Sequence, residues 1–254
     1  MNRDIRSVDD LLRMLDGLFE NIEWDGFYAD RDRPVPFFVD EPDENLDAWL
    51  RDGPLTGGRA LELGCGPGRN ARRLAEAGYE VDAVDGSPEA IAWACERVDD
   101  VRFHRADIFA MDLPHEEYDL VYDSGCLHHL APHRRISYLA LLDRYLKPGG
   151  HFGLVCFAAG TGSPDSGTEI PDAQLYRDGS LHGGLAYTPD ELRKLFDVFT
   201  ELELRPMKEN TGRFGATFLL AGLFRKDGKP RRHPQFGDLA VGGNGDVEGS
   251  ARQR

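Results

Sequence analysis

Cysteine is scarce in this sequence. Cys65, Cys95, Cys126 and Cys156 stand about thirty residues apart without a CxxC pair. That spacing argues against a zinc site and against a disulfide-stapled secreted domain, and it points to a reducing cytoplasm. Long apolar runs are also lacking, since no stretch reaches the roughly 18 uncharged residues a membrane span needs, and the opening MNRDIRSVDD has no signal-peptide core. Basic residues are in deficit, 30 Lys plus Arg against 45 Asp plus Glu, for a net charge of -15. Such a field repels phosphate backbones and anionic lipid heads, so neither nucleic acid nor a membrane surface is expected as a partner. No internal repeat is found. What remains is a chain of 254 residues, 41% hydrophobic, with material for one large core.

From Ser7 to Ile22 the apolar residues recur at helical spacing behind a Ser7 cap, and an amphipathic helix is expected. Residues 24–45 hold three prolines, five aromatics and many acids without a sustained period, which reads as an irregular loop carrying packing groups. Short apolar runs and helical patterns then alternate. Strands are expected at Ala60–Leu63, Val81–Val84, Val101–Phe103, Leu120–Tyr122 and Phe152–Phe157, with helices around Asn70–Ala77, Pro88–Arg97 and His133–Leu146. That alternation predicts a parallel sheet covered on both faces. A Gly-, Ser- and Asp-rich stretch follows to about residue 184, then a helix over Pro189–Phe196 capped by Thr188. Strands at Thr200–Leu204 and Ala216–Phe224 end the pattern. The resulting division is an N-terminal helix and lid loop over 1–45, a core domain over 46–226, and a Gly-rich flexible tail over 227–254.

The run LELGCGPGRN sets a strand directly before Gly64, Gly66 and Gly68 and a helix directly after them. Glycines there allow positive φ and close backbone approach to a ligand, while the helix presents free N–H groups. A dinucleotide fingerprint from Gly64 would want Gly or Ala where Arg69 stands, which counts against NAD. The second strand ends in Asp85, where an acid can accept both hydroxyls of a ribose. The third is followed by Asp107 and Ile108, an acid and an apolar side chain suited to an adenine amino group and ring face.

These motifs in this order resemble the class I S-adenosylmethionine-dependent methyltransferases. LELGCGPGRN is similar to their glycine motif, AVDGSPEAI to their ribose-binding acidic motif and RADIF to their adenine motif. YDLVYDSGCLHHL resembles the segment after their fourth strand, and LKPGGHFGLVCF the turn into the fifth. GRNARRLAEAGYEVDAVDGSPEAI most resembles the small-molecule branch around the tellurite-resistance and thiopurine methyltransferases. The resemblance implies a Rossmann-like, doubly wound α/β fold with a seven-stranded, mostly parallel sheet, the last strand antiparallel and helices on both faces. It implies S-adenosyl-L-methionine as cofactor, held by Glu62, Gly64, Cys65, Gly66, Gly68, Asn70, Asp85, Gly86, Ser87, Asp107, Ile108 and Asp123. Gly86 departs from the pattern, since a bulkier residue commonly follows the acid, and the contact around the ribose would be looser.

Methyl transfer is an in-line displacement, so the protein chiefly aligns donor and acceptor and excludes water. The expected acceptor is a small molecule with a soft nucleophile, thiol or selenol, which is already partly anionic near neutral pH. Oxygen- or nitrogen-directed methylation in natural-product metabolism is the alternative, and a non-catalytic sensor of adenosyl ligands is the alternative outside enzymology. Asp123, His128 and His129 are the candidates nearest the methyl, with a histidine as base if one is needed. His129 and His133 with Cys126 suggest a metal only weakly, because Pro132 interrupts the helical face, and no metal site is expected. The aromatics Trp24, Phe27, Tyr28, Phe37 and Phe38 are expected to form a lid over the acceptor. The acids Asp30, Asp32, Asp40, Glu41, Asp43 and Glu44 around them would discourage anionic acceptors. A monomer or homodimer is expected.

Overall fold

The computed structural model describes residues 5–228 apart from 21, 114 and 116. The expected tail over 227–254 falls almost wholly outside the described residues.

The chain opens with α1 (Val8–Asp16), α2 (Trp24–Ala29) and α3 (Glu44–Arg51). It continues through β1 (Gly58–Leu63), α4 (Arg69–Glu76), β2 (Tyr79–Asp85), α5 (Pro88–Arg97), β3 (Arg102–Arg105) and β4 (Tyr118–Ser124). After a 3-10 turn at Leu127–His129 come α6 (Arg134–Tyr145), β5 (Leu146–Phe157), α7 (Asp172–Asp178), α8 (Pro189–Leu195), β6 (Phe199–Pro206) and β7 (Leu219–Lys226). The sheet has seven strands in the order β3-β2-β1-β4-β5-β7-β6. The pairs from β3 across to β5 are parallel, and β7 runs antiparallel between β5 and β6. This is the doubly wound, mostly parallel sheet the sequence implied.

Local chemistry sets the element ends. Ser7 caps α1 through Asp10 N–H, and the Asp10 carboxylate returns the bond to Ser7 N–H, a reciprocal pair that fixes the first turn. The helix stops at Asp16 rather than running on to Ile22. Gly17 takes the C-cap, and Glu20 N–H donates to Gly179 O at 2.8 Å, so a tertiary contact wins over helical spacing. Thr188 and Glu191 form the same reciprocal cap on α8. The segment 24–45 is not an irregular loop throughout: Trp24, Phe27 and Tyr28 lie on one turn of α2, and α3 begins at Glu44. The boundary at 45 therefore falls inside α3, where Leu46 and Trp49 are core residues.

Side chains alternate between two apolar layers, as the pleat requires. Leu61, Leu63, Val121, Phe152 and Leu154 pack on the side of α6, α7 and α8, with Tyr138, Leu142, Leu175 and Leu192. Ala60, Leu120, Tyr122 and Val155 pack on the other side with Trp49 of α3 and Leu74 of α4. Each fully buried leucine is worth about 1.5–3 kcal/mol of transfer free energy, and together these layers hold the strand ends in register. Leu63 pairs with Val84 on one side and with Asp123 on the other. Gly64, Asp85 and Ser124, each one residue further on, consequently reach the same carboxyl edge, where the chain turns to opposite sides from β1 and β4. Ligands of open α/β sheets bind at such a reversal of strand order. Among the described residues, no helix is long and apolar enough to cross a membrane.

Candidate functional site at the carboxyl edge of the sheet

Gly64, Gly66 and Gly68 all hold positive φ, at 65°, 49° and 79°. They do different work. A Cβ on Gly66 would stand 3.0 Å from the Tyr28 hydroxyl oxygen, so the residue needs both its backbone conformation and its bareness. A Cβ on Gly68 would instead meet Phe103 at 3.0 Å and Ala94 at 3.2 Å, behind the turn. Gly68 is thus a packing glycine at the N-cap of α4 and does not line the cavity described below.

Asp85, at the end of β2, is joined to this turn. Its Oδ2 accepts Gly66 N–H at 2.9 Å and its Oδ1 accepts Ser87 N–H at 2.8 Å. Burial nevertheless raises its pKa above its ordinary value, because desolvation outweighs those backbone bonds. Ser87 itself turns inward to cap α5, its Oγ accepting Ala90 N–H at 3.3 Å. After β3, Ala106 N–H donates to Asp85 O at 3.0 Å, which brings Asp107 and Ile108 to the same edge.

Glu62, the last but one residue of β1, is 2% exposed. Its Oε2 is buried with no hydrogen-bond partner among the described residues, and desolvation pushes its pKa well above the ordinary value although Arg69 stands near. A buried carboxyl in this condition suits a positively charged or hydrogen-bond-donating group.

These residues line one cavity of about 740 Å³. Of the expected site residues, Glu62, Gly64, Cys65, Gly66, Asn70, Asp85, Gly86, Asp107, Ile108, His128 and His129 face it. Trp24, Phe27, Tyr28 and Phe37 wall it from the N-terminal side, and Phe157, Phe214 and Phe218 from the other. The aromatic segment is tightly interlocked: Tyr28 stacks on Phe38 at 5.7 Å, and Phe38 meets Trp93 of α5 at 5.1 Å. Among the described lining residues Arg69 is the one Lys or Arg, against Glu20, Glu62, Asp85, Asp107 and Asp165.

Arg69 is not free to meet a ligand anion. It pairs with Asp43 at 2.7 Å, donates to Glu41 O at 3.1 Å and lies over the Phe214 ring at 4.5 Å. Asp43 is fully buried and also accepts from Tyr122 Oη at 2.6 Å and Asn70 Nδ2 at 3.0 Å. Asn70 Oδ1 in turn accepts Asp43 N–H at 2.9 Å. This network was not visible in the sequence, where Asp43 and Glu44 counted among the lid acids expected to discourage anionic acceptors. Both are buried and paired, Glu44 with Arg205.

Asp123 does not line the cavity. It is fully buried, accepting Cys126 N–H at 2.7 Å, Leu127 N–H at 3.0 Å and Tyr138 Oη–H at 2.6 Å. Desolvation raises its pKa to about 6 against those bonds. Its geometry serves the turn that presents His128 and His129. His128 stacks on Phe157 at 3.8 Å, and its two ring nitrogens face Phe157 N–H and His129 Nε2. Burial lowers the pKa of both histidines, His128 well below its ordinary value and His129 to about 4. Both rings are neutral at neutral pH.

Comparison with known proteins agrees with this layout. Residues 60–150 match a family model described as a methyltransferase domain. An uncharacterised methyltransferase of Synechocystis sp. is 38% identical over 101 residues, 39% of this chain and 47% of that protein. An uncharacterised methyltransferase of Mycobacterium bovis is 34% identical over 117 residues, 45% of this chain and 57% of that protein. The chain spans about half the length of these curated relatives. Among solved structures, a protein that converts a disulfide bond into a thioacetal group in echinomycin biosynthesis superposes with a TM-score of 0.62 at 24% identity, covering 82% of this chain and 92% of that one. The 1,6-didemethyltoxoflavin-N1-methyltransferase of Burkholderia thailandensis, solved with S-adenosylhomocysteine, superposes with a TM-score of 0.60 at 21% identity, covering 89% and 93%. TehB of Haemophilus influenzae superposes at 0.51 and 22%, covering 72% and 61%. The structural likenesses establish the fold.

Proposed function

We propose that this chain, which carries a methyltransferase domain over residues 60–150 in the class I fold, transfers a methyl group from S-adenosyl-L-methionine to a small molecule. The observation that carries this reading is the convergence on one cavity of the Gly64–Gly66 turn, Asp85, Asp107 with Ile108, and the buried carboxyl of Glu62, whose Oε2 has no hydrogen-bond partner among the described residues. The donor set fits the cofactor. Glu62 suits an α-ammonium, Asp85 a pair of ribose hydroxyls, Asp107 an exocyclic amine, and Ile108 the face of a purine. The acidic lining and the neutralised Arg69 favour a ligand that carries net positive charge.

When bound, S-adenosylmethionine supplies a methyl group on a cationic sulfur that a nucleophile can displace directly. The chain's own residues orient and desolvate. The walls Trp24, Phe27, Phe37 and Phe157 offer an apolar chamber beside the cofactor residues, from which water is excluded as the acceptor enters. Asp123 fixes the turn that carries the two histidines. With His129 near a pKa of about 4, neither ring is matched to a base near neutral pH. That supports the leading acceptor class, a thiol or selenol, whose ionisation near neutral pH needs no dedicated base. Action in the cytoplasm, as a monomer or homodimer, belongs to the same proposal. Turnover of S-adenosylmethionine to S-adenosylhomocysteine against a panel of thiols, selenols, phenols and amines tests it. Thiol- or selenol-dependent product supports the reading, turnover confined to phenols or amines redirects the acceptor class, and cofactor binding without turnover favours a sensor.

A further inference from the structure

The two adjacent histidines form a hydrogen-bond chain whose direction is set by the backbone. Phe157 N–H donates to His128 Nδ1 at 3.2 Å, so that nitrogen presents a lone pair. A neutral ring then carries its proton on Nε2, which stands 3.0 Å from Nε2 of His129. His128 donates, His129 Nε2 accepts, and the proton of the neutral His129 ring is left on Nδ1. Reversing the chain would set a protonated His128 Nδ1 against the Phe157 N–H, two donors face to face. The ring of His128 is also held flat on Phe157, with 14° between planes, and Trp24 meets His129 at 73°. Meanwhile the His129 Nδ1 is buried without a hydrogen-bond partner among the described residues, on a ring that lines the cavity.

We propose that His129 is a specificity-determining residue whose Nδ1–H, locked as a donor by His128 and the Phe157 backbone, takes a lone pair or thiolate charge of the methyl acceptor. This rests on the methyltransferase reading of the same cavity and deepens it. Because Arg69 is committed to Asp43, this N–H offers a polar handle to an anionic or lone-pair acceptor along a wall rich in acids. Acceptors with a lone pair at or beside the methylated atom fit. Groups that only donate, such as a protonated amine, meet a like donor and are rejected.

The test is nuclear magnetic resonance of the full-length protein labelled with ¹⁵N-histidine, with S-adenosylhomocysteine as cofactor probe and benzenethiol as acceptor probe. The expected spectra show His128 protonated on Nε2 and His129 on Nδ1, with the His129 signal moving when benzenethiol joins the S-adenosylhomocysteine-loaded protein. His129→Phe keeps a ring and loses the donor, and it should weaken benzenethiol binding about tenfold, the equivalent of one lost hydrogen bond. S-adenosylhomocysteine affinity should not change. His129→Asn restores an N–H donor and should recover most of the loss. A proton on His129 Nε2, no benzenethiol binding by the wild-type complex, or equal benzenethiol affinity in His129→Phe would overturn the proposal. Failure of S-adenosylhomocysteine to bind the wild type strikes the methyltransferase reading instead, and the ring tautomers still judge the histidine chain by themselves.

Discussion

The carboxylate of Asp85 accepts the backbone N–H of Gly66 at 2.9 Å and so ties the end of β2 to the glycine turn that leaves β1. One residue thereby shapes the turn and faces the cavity it encloses. The consequence is that turn and acid act as one unit, and damage to either is felt by the other.

Gly66→Val should abolish cofactor binding. The new side chain meets a left-handed backbone that costs roughly 1–2 kcal/mol for a residue with a Cβ, and its Cβ alone would stand 3.0 Å from the Tyr28 hydroxyl oxygen on the cavity wall. The fold should survive, since Gly66 contributes no side chain to either apolar layer. Circular dichroism with S-adenosylmethionine calorimetry checks this, and a folded variant that binds normally would show that the turn does not face the cofactor.

Glu62 makes the site's affinity depend on pH. Burial opposes its charge and raises its pKa well above the ordinary value, which favours the protonated carboxyl where no cation stands beside it. A raised acid stabilises the fold fully below its unfolded value and loses that contribution as pH climbs through the folded value. A bound ammonium favours the ionised form, so binding should release a proton and tighten as pH rises toward the folded pKa. Calorimetry in buffers of different ionisation enthalpy reads the proton directly. Glu62→Gln should bind more weakly and release none, while equal release from both proteins would remove Glu62 from the ligand.

Much of this was legible beforehand, because strand-ending glycines and acids are short-range patterns set by backbone geometry. Asp85 and Asp107 with Ile108 fell on the carboxyl edge for that reason, whereas the seven-stranded sheet with its last strand antiparallel came from the family resemblance. What escaped was tertiary. Nothing local marks Asp43 as the buried partner of Arg69, Asn70 and Tyr122. Nor does the motif after β4 reveal that Asp123 turns inward to Tyr138 while the histidines turn to the cavity. The helix α2 was readable, for Trp24, Phe27 and Tyr28 stand three and four apart, but prolines further along masked it.

Tyr122→Phe should destabilise the protein by about 1–3 kcal/mol, since Asp43 loses its 2.6 Å donor in a fully buried site. Asp43→Ala should cost more, about 3–5 kcal/mol, because Arg69 would keep a buried charge without its carboxylate. Urea unfolding measures both, and an equal or reversed ranking would contradict the role given to the ion pair.

Truncation through residue 45 would delete Asp43 and so confounds any test of a lid. Point changes in the aromatic wall avoid this. Trp24→Ala and Phe37→Ala remove cavity lining, and each should raise the acceptor KM by about two- to tenfold while leaving S-adenosylmethionine affinity nearly unchanged, since one aromatic contact to the acceptor is worth about 0.5–1.5 kcal/mol beyond burial. Steady-state kinetics with an acceptor identified from the panel decides, and unchanged KM in both would make the segment ordinary packing.

Calorimetric titration of S-adenosylmethionine into the wild type and Asp85→Ala tests the central claim most directly. One site per chain is expected in the wild type, with affinity lower by about 1–3 kcal/mol in the variant as a charged acceptor is withdrawn from two hydroxyls. Absence of binding to the wild type, or identical affinity in the two proteins, would contradict the assignment of this cavity to the cofactor.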